Sequence, residues 1–352
     1  MNLFSKKSRP AGLDIGSRTI KLAEIIDGKS GLALKTFNTV NIEPGLIEEG
    51  SIKEPETVAG YIRELFKTSK LKEKNVAISI GGYSVIVKKI NVQTMTEDEL
   101  QESIHFEAEQ YIPFDISEVN LDFQILGESE HNPNQMNVLL VAAKKEMINE
   151  YIDLVQSAKL RPRIIDVDAF ALQNIFESYS TSENENIALI DIGASKTSLN
   201  ILKNNISEFM RDVSLGCDQI NDKIASTIGC TIEESEAIKL GRVSDAMSAD
   251  DLKDIVSTVV SDWCVEIKRA LDFFLSTYPA EQITRIVLSG GGAKIKAFRK
   301  LLAAETSAEV EVVNPFQAIE IDSQRFDAAY LEKIGPQSAI CMGLATRKLG
   351  DK

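Results

Sequence analysis

One short pattern occurs twice, about half a chain apart. Asp14-Ile15-Gly16-Ser17 leads into Thr19-Ile20-Lys21-Leu22, and Asp191-Ile192-Gly193-Ala194 leads into Lys196-Thr197-Ser198-Leu199. The two aspartates lie 177 residues apart in a chain of 352. Solenoids repeat every ~20–50 residues, so a single repetition at this distance points to two related lobes. Each copy follows an apolar run, Ala11 to Leu13 or Ile187 to Ile190, and precedes alternating residues, Leu22-Ala23-Glu24-Ile25 or Leu199-Asn200-Ile201-Leu202. Each therefore reads as strand, tight turn, strand. The glycine two residues past each aspartate permits a backbone geometry that a Cβ would obstruct. Amides of such a turn point outward and make a nest for anions. Two nests could hold a polyphosphate between them, and Asp14 with Asp191 could hold a hydrated Mg²⁺. Each motif alone could also be a mere hairpin corner; the second copy weighs against that reading.

A third element follows. Arg285 to Ser289 reads as a buried strand, Gly290-Gly291-Gly292-Ala293 as a turn, and Lys294 to Glu305 as a helix with Ile295, Phe298, Leu301 and Leu302 on one face. Glycines let the main chain lie flat on a ligand, and a helix N-terminus favours negative charge. Neither the P-loop pattern G-x-x-x-x-G-K-[ST] nor the dinucleotide pattern G-x-G-x-x-G occurs.

Composition narrows the classes. With 43% hydrophobic and 26% charged residues the balance is that of an ordinary globular chain, and its length predicts two or three folding units. A formal charge of −14 argues against a general nucleic-acid binder, but not against a nucleotide held by local dipoles and a metal ion. Cys217, Cys230, Cys264 and Cys341 stand apart, and His105 and His131 lack partners at ligand spacing, which predicts reduced thiols and no structural metal. No apolar run reaches the ~20 residues of a membrane span. Residues 1–10 carry Lys6, Lys7 and Arg9 without an apolar stretch, which predicts a frayed terminus, not a secretory signal, although it could touch an anionic bilayer.

This ordered set resembles the actin-like ATPase superfamily: an α/β, ribonuclease H-like duplicated fold of two lobes. The resemblance covers nearly the whole chain. It makes the first hairpin a phosphate-binding motif (Asp14, Gly16, Ser17, Lys21), the second its counterpart (Asp191, Gly193, Ala194, Thr197), and Gly290, Gly291 and Gly292 the adenosine motif. Ala194 stands where relatives often carry glycine or an acid, which leaves a backbone contact. Asp168-Ala169-Phe170-Ala171-Leu172 to Phe176 resembles the first helix crossing between lobes, and Pro336 to Leu349, with Ala339, Gly343 and Ala345, the second.

Within the superfamily, Glu107-Ala108-Glu109-Gln110-Tyr111-Ile112-Pro113-Phe114 and Val119 to Leu126 resemble the PilM family of type IV pilus assembly, and Ser214-Leu215-Gly216-Cys217-Asp218 resembles both PilM and FtsA. The chain stops at Lys352 without the long linker and amphipathic helix of FtsA, which favours the PilM family. This implies a four-subdomain organisation with a small 1C-type α/β insert. Residues 1–90, 166–186 and 326–352 form subdomain 1A, 91–165 the insert, 187–216 and 281–325 subdomain 2A, and 217–280 subdomain 2B. Thr231 with Glu234 gives a helix in 2B a capping-box start.

The insert has its own charge signature. Residues 90–143 hold no Lys or Arg and 11 acidic side chains. Helices are predicted for Glu97 to Tyr111 and Glu146 to Lys159, and strands for Asn120 to Leu126 and Asn137 to Ala143. The acidity is either a solvated surface or an attraction for a basic tail beside a membrane span. The resemblance implies the second: an extended N-terminal cytoplasmic tail of a PilN-like inner-membrane protein, lying in a groove beside the insert, with Tyr111, Ile112 and Phe114 as candidate lining or core.

Expected cofactors are ATP and Mg²⁺. The resemblance implies that Asp168, or its neighbour Asp166, orients an attacking water; helix N-capping is the structural alternative for both. Lys268, in Glu266-Ile267-Lys268-Arg269, could reach the purine or belong to a solvated helix face. The function so implied is a nucleotide-dependent scaffold with at most slow ATPase turnover. It would sit at the inner face of the cell membrane through its partner, alongside other pilus inner-membrane components, with self-association possible and no nucleic acid. Two alternatives share the superfamily: an FtsA-like filament protein of cell division, visible by electron microscopy with ATP, and a small-molecule kinase, which needs a base over a substrate hydroxyl.

Overall fold

Every residue of β1 (Ala11–Ile15) is buried, as in a strand covered on both faces. It pairs antiparallel with β2 (Thr19–Asp27), which pairs with β3 (Leu32–Asn41). A short ladder of β4 (Ile47–Glu48) and β5 (Ser51–Ile52) leads to α1 (Pro55–Thr68), and β6 (Asn75–Ile80) returns parallel to β1. The chain then builds a separate sheet from β7 (Val85–Gln93), α2 (Glu97–Ala108), β8 (Val119–Glu128) and β9 (Gln135–Lys144). It comes back through α3 (Lys145–Ser157) and β10 (Arg161–Val167), which lies parallel to β6. These are elements of a computed structural model that describes residues 9–29, 31–129, 132–180, 183, 185–278 and 281–350. The expectations for Lys6, Lys7, His131 and the last two residues lie outside the described residues.

After α4 (Asp168–Glu177) the plan repeats. β11 (Asn186–Ile192), β12 (Thr197–Lys203) and β13 (Ile206–Val213) form a second antiparallel trio. α5 (Asp218–Ile228), α6 (Ile232–Lys239) and the long α7 (Ala249–Thr277) follow. Then β14 (Ile283–Gly290) runs parallel to β11, and α8 (Lys296–Thr306) precedes β15 (Glu309–Val312). The sheet orders are β10-β6-β1-β2-β3-β16 and β15-β14-β11-β12-β13, where β16 is Ile319–Glu320. Over five strands the two orders coincide, so the repeated hairpin marks a duplicated sheet. The capping box read at Thr231 and Glu234 is formed at the start of α6.

Between the two sheets lie α4 and α9 (Ala328–Thr346). Their apolar residues Ala171, Leu172, Phe176, Cys341, Met342 and Leu344 share one core with residues of both sheets, among them Ala23, Ala77, Leu189 and Val287. Each lobe has a further core of its own, and the small sheet a fourth. α9 begins eight residues before the expected Pro336, which sits inside the helix. The four cysteines are free, and no described helix is long and apolar enough to cross a membrane.

The insert is expected over 91–165; the small sheet itself runs from Val85 to Lys144. α3 buries Met147, Tyr151, Leu154 and Val155 in the first lobe's core, and β10 joins the first sheet. No turn separates β9 from α3, so the chain offers no break where the insert ends. β16, inside the expected 281–325 segment, pairs with β3 of the other lobe.

Candidate functional site

Both hairpins solve the same local problem in the same way. The Gly16 amide donates to the Thr19 carbonyl (3.3 Å), and the Gly193 amide to the Lys196 carbonyl (2.9 Å). A Cβ on either glycine would lie 3.1 Å from that carbonyl, tighter than ordinary contact. The turns face one another: the Ser17 and Ser195 hydroxyls are 3.0 Å apart, 178 residues apart in sequence. The predicted pair of hairpins therefore meets at one place.

Register places the charges. Asp14 is the direct cross-strand partner of Lys21, and the Lys21 ammonium donates to its carboxylate at 2.9 Å. Burial lowers the lysine's affinity for its proton, but the Asp14 charge outweighs it and holds the amine above its usual value. Asp191 faces Ser198 in the equivalent position, so its cross-strand partner is uncharged, and the Lys21 charge from the other hairpin only partly offsets its burial. Burial therefore pushes Asp191 from 3.8 up to about 6, against a hydrogen bond from Ser289; the negative fields of Asp14 and Asp168 add to the rise.

Asp168 opens α4, but it does not cap the helix: Val167 is the N-cap and makes no side-chain cap bond. Its carboxylate accepts instead from Lys196 of the opposite hairpin, at 2.6 Å. Burial alone would raise Asp168, but Lys196, a hydrogen bond from Ser79 and the field of Lys21 keep it below its usual range. The site thus holds an ionised carboxylate at a helix start, clamped by a cation from the other lobe.

The glycine turn packs beside the second hairpin. Gly290 has φ +83°, and a Cβ there would come within 2.6 Å of the Ile192 carbonyl carbon. Only glycine meets both demands, and they bring the turn against the end of β11. Lys294 just beyond donates to Gln337 of α9 at 2.7 Å.

Three predicted residues fall elsewhere. Asp166 is buried under Arg347, which donates to it at 2.9 Å, while its other oxygen accepts from the Val167 amide at 2.8 Å. It ties β10 to the end of α9, because successive strand side chains point to opposite faces. Thr197 is fully buried and donates to the Leu215 carbonyl at 3.0 Å, supporting the loop over the second hairpin. Lys268 pairs at 3.4 Å with Glu305, in the last turn of α8, whereas the glycine turn precedes that helix. At ~1.5 Å per residue the separation is about one helix length.

Further polar residues gather around the two hairpins. Lys196 and Ser195 belong to the second turn. At the lip, Arg18 of the first hairpin donates to Asp218 at 2.9 Å. Asn221 donates to both Asp218 and Glu236, and Lys239 reaches Glu236 at 2.7 Å. A Glu-x-x-Lys pair at helical spacing was the available signal, but such pairs are common on solvated helices.

A first prediction follows from Asp191. An acid whose folded value lies above its unfolded one takes up its proton on folding, so stability falls as pH rises through the window between them. The difference in urea midpoint between wild type and Asp191→Asn should fall with pH between 3.8 and about 6, then level off. A pH-independent difference would show that Asp191 is not held as described.

The small sheet meets the second lobe beside this site. Lys89 of β7 donates to both oxygens of Glu208 on β13, at 2.7 and 2.8 Å, and the Gly82 amide donates to Asp212. Between β7, the end of α2, β13 and α7 lies a cleft of about 650 Å³. Tyr111 and Ile112 line it, while the Phe114 ring lies 4.5 Å from the Lys144 ammonium.

A sequence-family model described as type IV pilus assembly protein PilM matches residues 12–349. A solved PilM-PilN type IV pilus biogenesis complex contains a chain 29% identical, with a TM-score of 0.87, covering 98% of this chain and 100% of that one. Two more distant likenesses concern fold alone. The ethanolamine utilization protein EutJ from Carboxydothermus hydrogenoformans has a TM-score of 0.57 at 13% identity, covering 96% of this chain and 88% of its own. MreB5 of Spiroplasma citri, bound to ADP, has a TM-score of 0.51 at 11% identity, covering 96% and 94%. The expected actin-like α/β fold is thereby shown.

Proposed function

The chain belongs to the PilM family of type IV pilus assembly proteins, and from that premise we propose that it is an ATP-binding scaffold that holds the N-terminal tail of a PilN-like membrane protein. The observation that carries the nucleotide half is the meeting of both hairpins across one cleft, with Ser17 against Ser195 and Lys196 on Asp168. Lys21, Lys196 and the two serine hydroxyls are the donors for phosphate oxygens. Because Gly16 and Gly193 spend their amides on their own turns, phosphate contacts fall to the residues just after them. The glycine turn gives the adenosine a flat main-chain surface, and Glu236 with Lys239 stands at the lip for the sugar.

A divalent cation fits this site. Asp14 and Asp191 are carboxylates whose ionised forms burial penalises, and a nearby cation would offset that penalty. Among the described residues no cluster of three or more ligating side chains exists, so the protein would supply two carboxylates and phosphate oxygens and waters the rest, as Mg²⁺ prefers. Bound there, Mg²⁺ would neutralise phosphate charge. Asp168, ionised and clamped by Lys196, is the residue to orient a water, and turnover is slow because the product is a conformation.

The partner half rests on the solved PilM-PilN complex. A tail in a groove beside the small sheet would sense the nucleotide through the Lys89–Glu208 pair, which ties that sheet to the second lobe. The protein would thus stand on the cytoplasmic face of the membrane through its partner. Calorimetric titration with Mg²⁺–ATP should give saturable binding. A PilN-like tail peptide should bind with different affinities in ATP, in ADP and without nucleotide; equal affinities would remove the switch and leave a passive scaffold.

A further inference from the structure

For a chain of charge −14, one end of the first lobe is oppositely charged. Residues 63–74 and 154–163 together hold eight Lys and Arg against two acids. They are distant in sequence, and topology unites them. β6 and β10 are parallel neighbours, each preceded by a helix, so the turns that enter them emerge at the same sheet end. The Arg161 amide donates to the Lys74 carbonyl at 2.8 Å, and Arg63 of α1 to the Ser157 carbonyl of α3 at 3.0 Å. Lys67, Lys70, Lys72 and Lys74 are exposed on the first turn and its flanks, and Lys159, Arg161 and Arg163 on the second. The acids offer little neutralisation. Glu73 turns back to the Lys74 and Asn75 amides, and Glu64 stands 3.5 Å from Lys67 alone.

Backbone geometry adds an independent observation. Lys70 and Lys159 follow the caps of α1 and α3 and have φ +51° and +64°. At that position a helix ordinarily ends in glycine or asparagine, which adopt it without a Cβ penalty. In both turns the local preference yields to a lysine.

We propose that this face is a docking surface for anionic lipid headgroups. Three features favour a bilayer over another macromolecule. The large exposed apolar side chains, among them Phe106, Leu240, Val243 and Phe273, lie on other elements, so the patch lacks the apolar centre of a protein interface. Its neighbouring aromatic ring, Phe66 beneath Lys74, is buried, unlike the exposed stacking platforms of a single-strand groove. Its exposed Lys and Arg side chains could each gain roughly 1 kcal/mol, or about fivefold, near an anionic leaflet. The patch lies at the end of the first sheet opposite Asp14, because Ala11 of β1 pairs with Val76 at the start of β6. The cleft would therefore face away from the bilayer.

The test uses the full chain alone, with neither nucleotide nor tail peptide, so its failure would leave the proposed function standing. Phosphatidylglycerol-rich vesicles should co-sediment the protein and pure phosphatidylcholine vesicles should not, and added salt should reverse the binding. The variant K70G/K72Q/K159G/R161Q should lose at least about tenfold in partitioning, with a thermal midpoint equal to or above wild type. K72Q/R161Q, which leaves both positive-φ turns untouched, should lose part of the binding. K223Q/K253Q/R299Q/K300Q, with the same charge change on the second lobe, should bind nearly as wild type. Equal loss in both quadruple variants, no dependence on anionic lipid, or displacement from vesicles by duplex or single-stranded nucleic acid at matched charge would overturn the assignment.

Discussion

Gly343→Ala should destabilise the protein by about 3 kcal/mol. A Cβ at Gly343 would stand 2.6 Å from the carbonyl carbon of Ala171 and 3.3 Å from its Cα. Those are backbone atoms of α4, so no rotamer change relieves the clash; α4 and α9 must separate. Their shared core contacts both sheets, so the separation would be felt in both lobes. Gly60→Ala is the control. Gly60 lies within α1, and a Cβ there would meet only the Arg63 guanidinium, at 3.8 Å. Removing backbone freedom from a helix interior should stabilise by about 0.5–1 kcal/mol. Urea unfolding of both variants checks the pair. Equal and small effects would show that the crossing helices are not held at van der Waals contact.

Lys21→Met should weaken Mg²⁺–ATP binding roughly ten- to hundred-fold, the range of a hydrogen bond to a charged group. It should also destabilise the protein without nucleotide. The Lys21–Asp14 side chains are only 12% and 11% exposed, and removing one partner leaves the other carboxylate without its countercharge. The loss should be smallest in acid, where Asp14 can take up a proton, and should grow as pH rises. Asp14→Asn in the same background should recover stability without recovering ATP affinity. Calorimetry and urea midpoints separate the two effects. ATP affinity unchanged in Lys21→Met would remove the first hairpin from the phosphate site.

How much of this could be read beforehand depended on how local the constraint was. Asp14-Ile15-Gly16 and Asp191-Ile192-Gly193 announced their turns because a tight turn and its strands are written within a few consecutive residues. The glycine turn was legible for the same reason: Gly290 must have positive φ and no Cβ. The edges of the small sheet were not legible, because β9 passes into α3 without a turn and only packing assigns α3 to the first lobe. Asp166 and Asp168 looked interchangeable in sequence. One ends a strand and turns to Arg347; the other starts a helix and turns to Lys196. Lys268 could be read as a purine contact or as part of a solvated helix face, and α7 carries it to the far end of α8.

The sequence by itself determined the duplication, the two hairpins, the glycine turn and the small crossing residues, since each follows from backbone sterics and periodicity over short spans. The tertiary structure alone decided which side chains face each other across the cleft: Ser17 with Ser195, Arg18 with Asp218, Asp168 with Lys196. It also gathered the lysines of two separate turns at one sheet end. Those partners lie far apart along the chain, and only the packing of α4 and α9 between the sheets, and the parallel pairing of β6 with β10, brings them within reach.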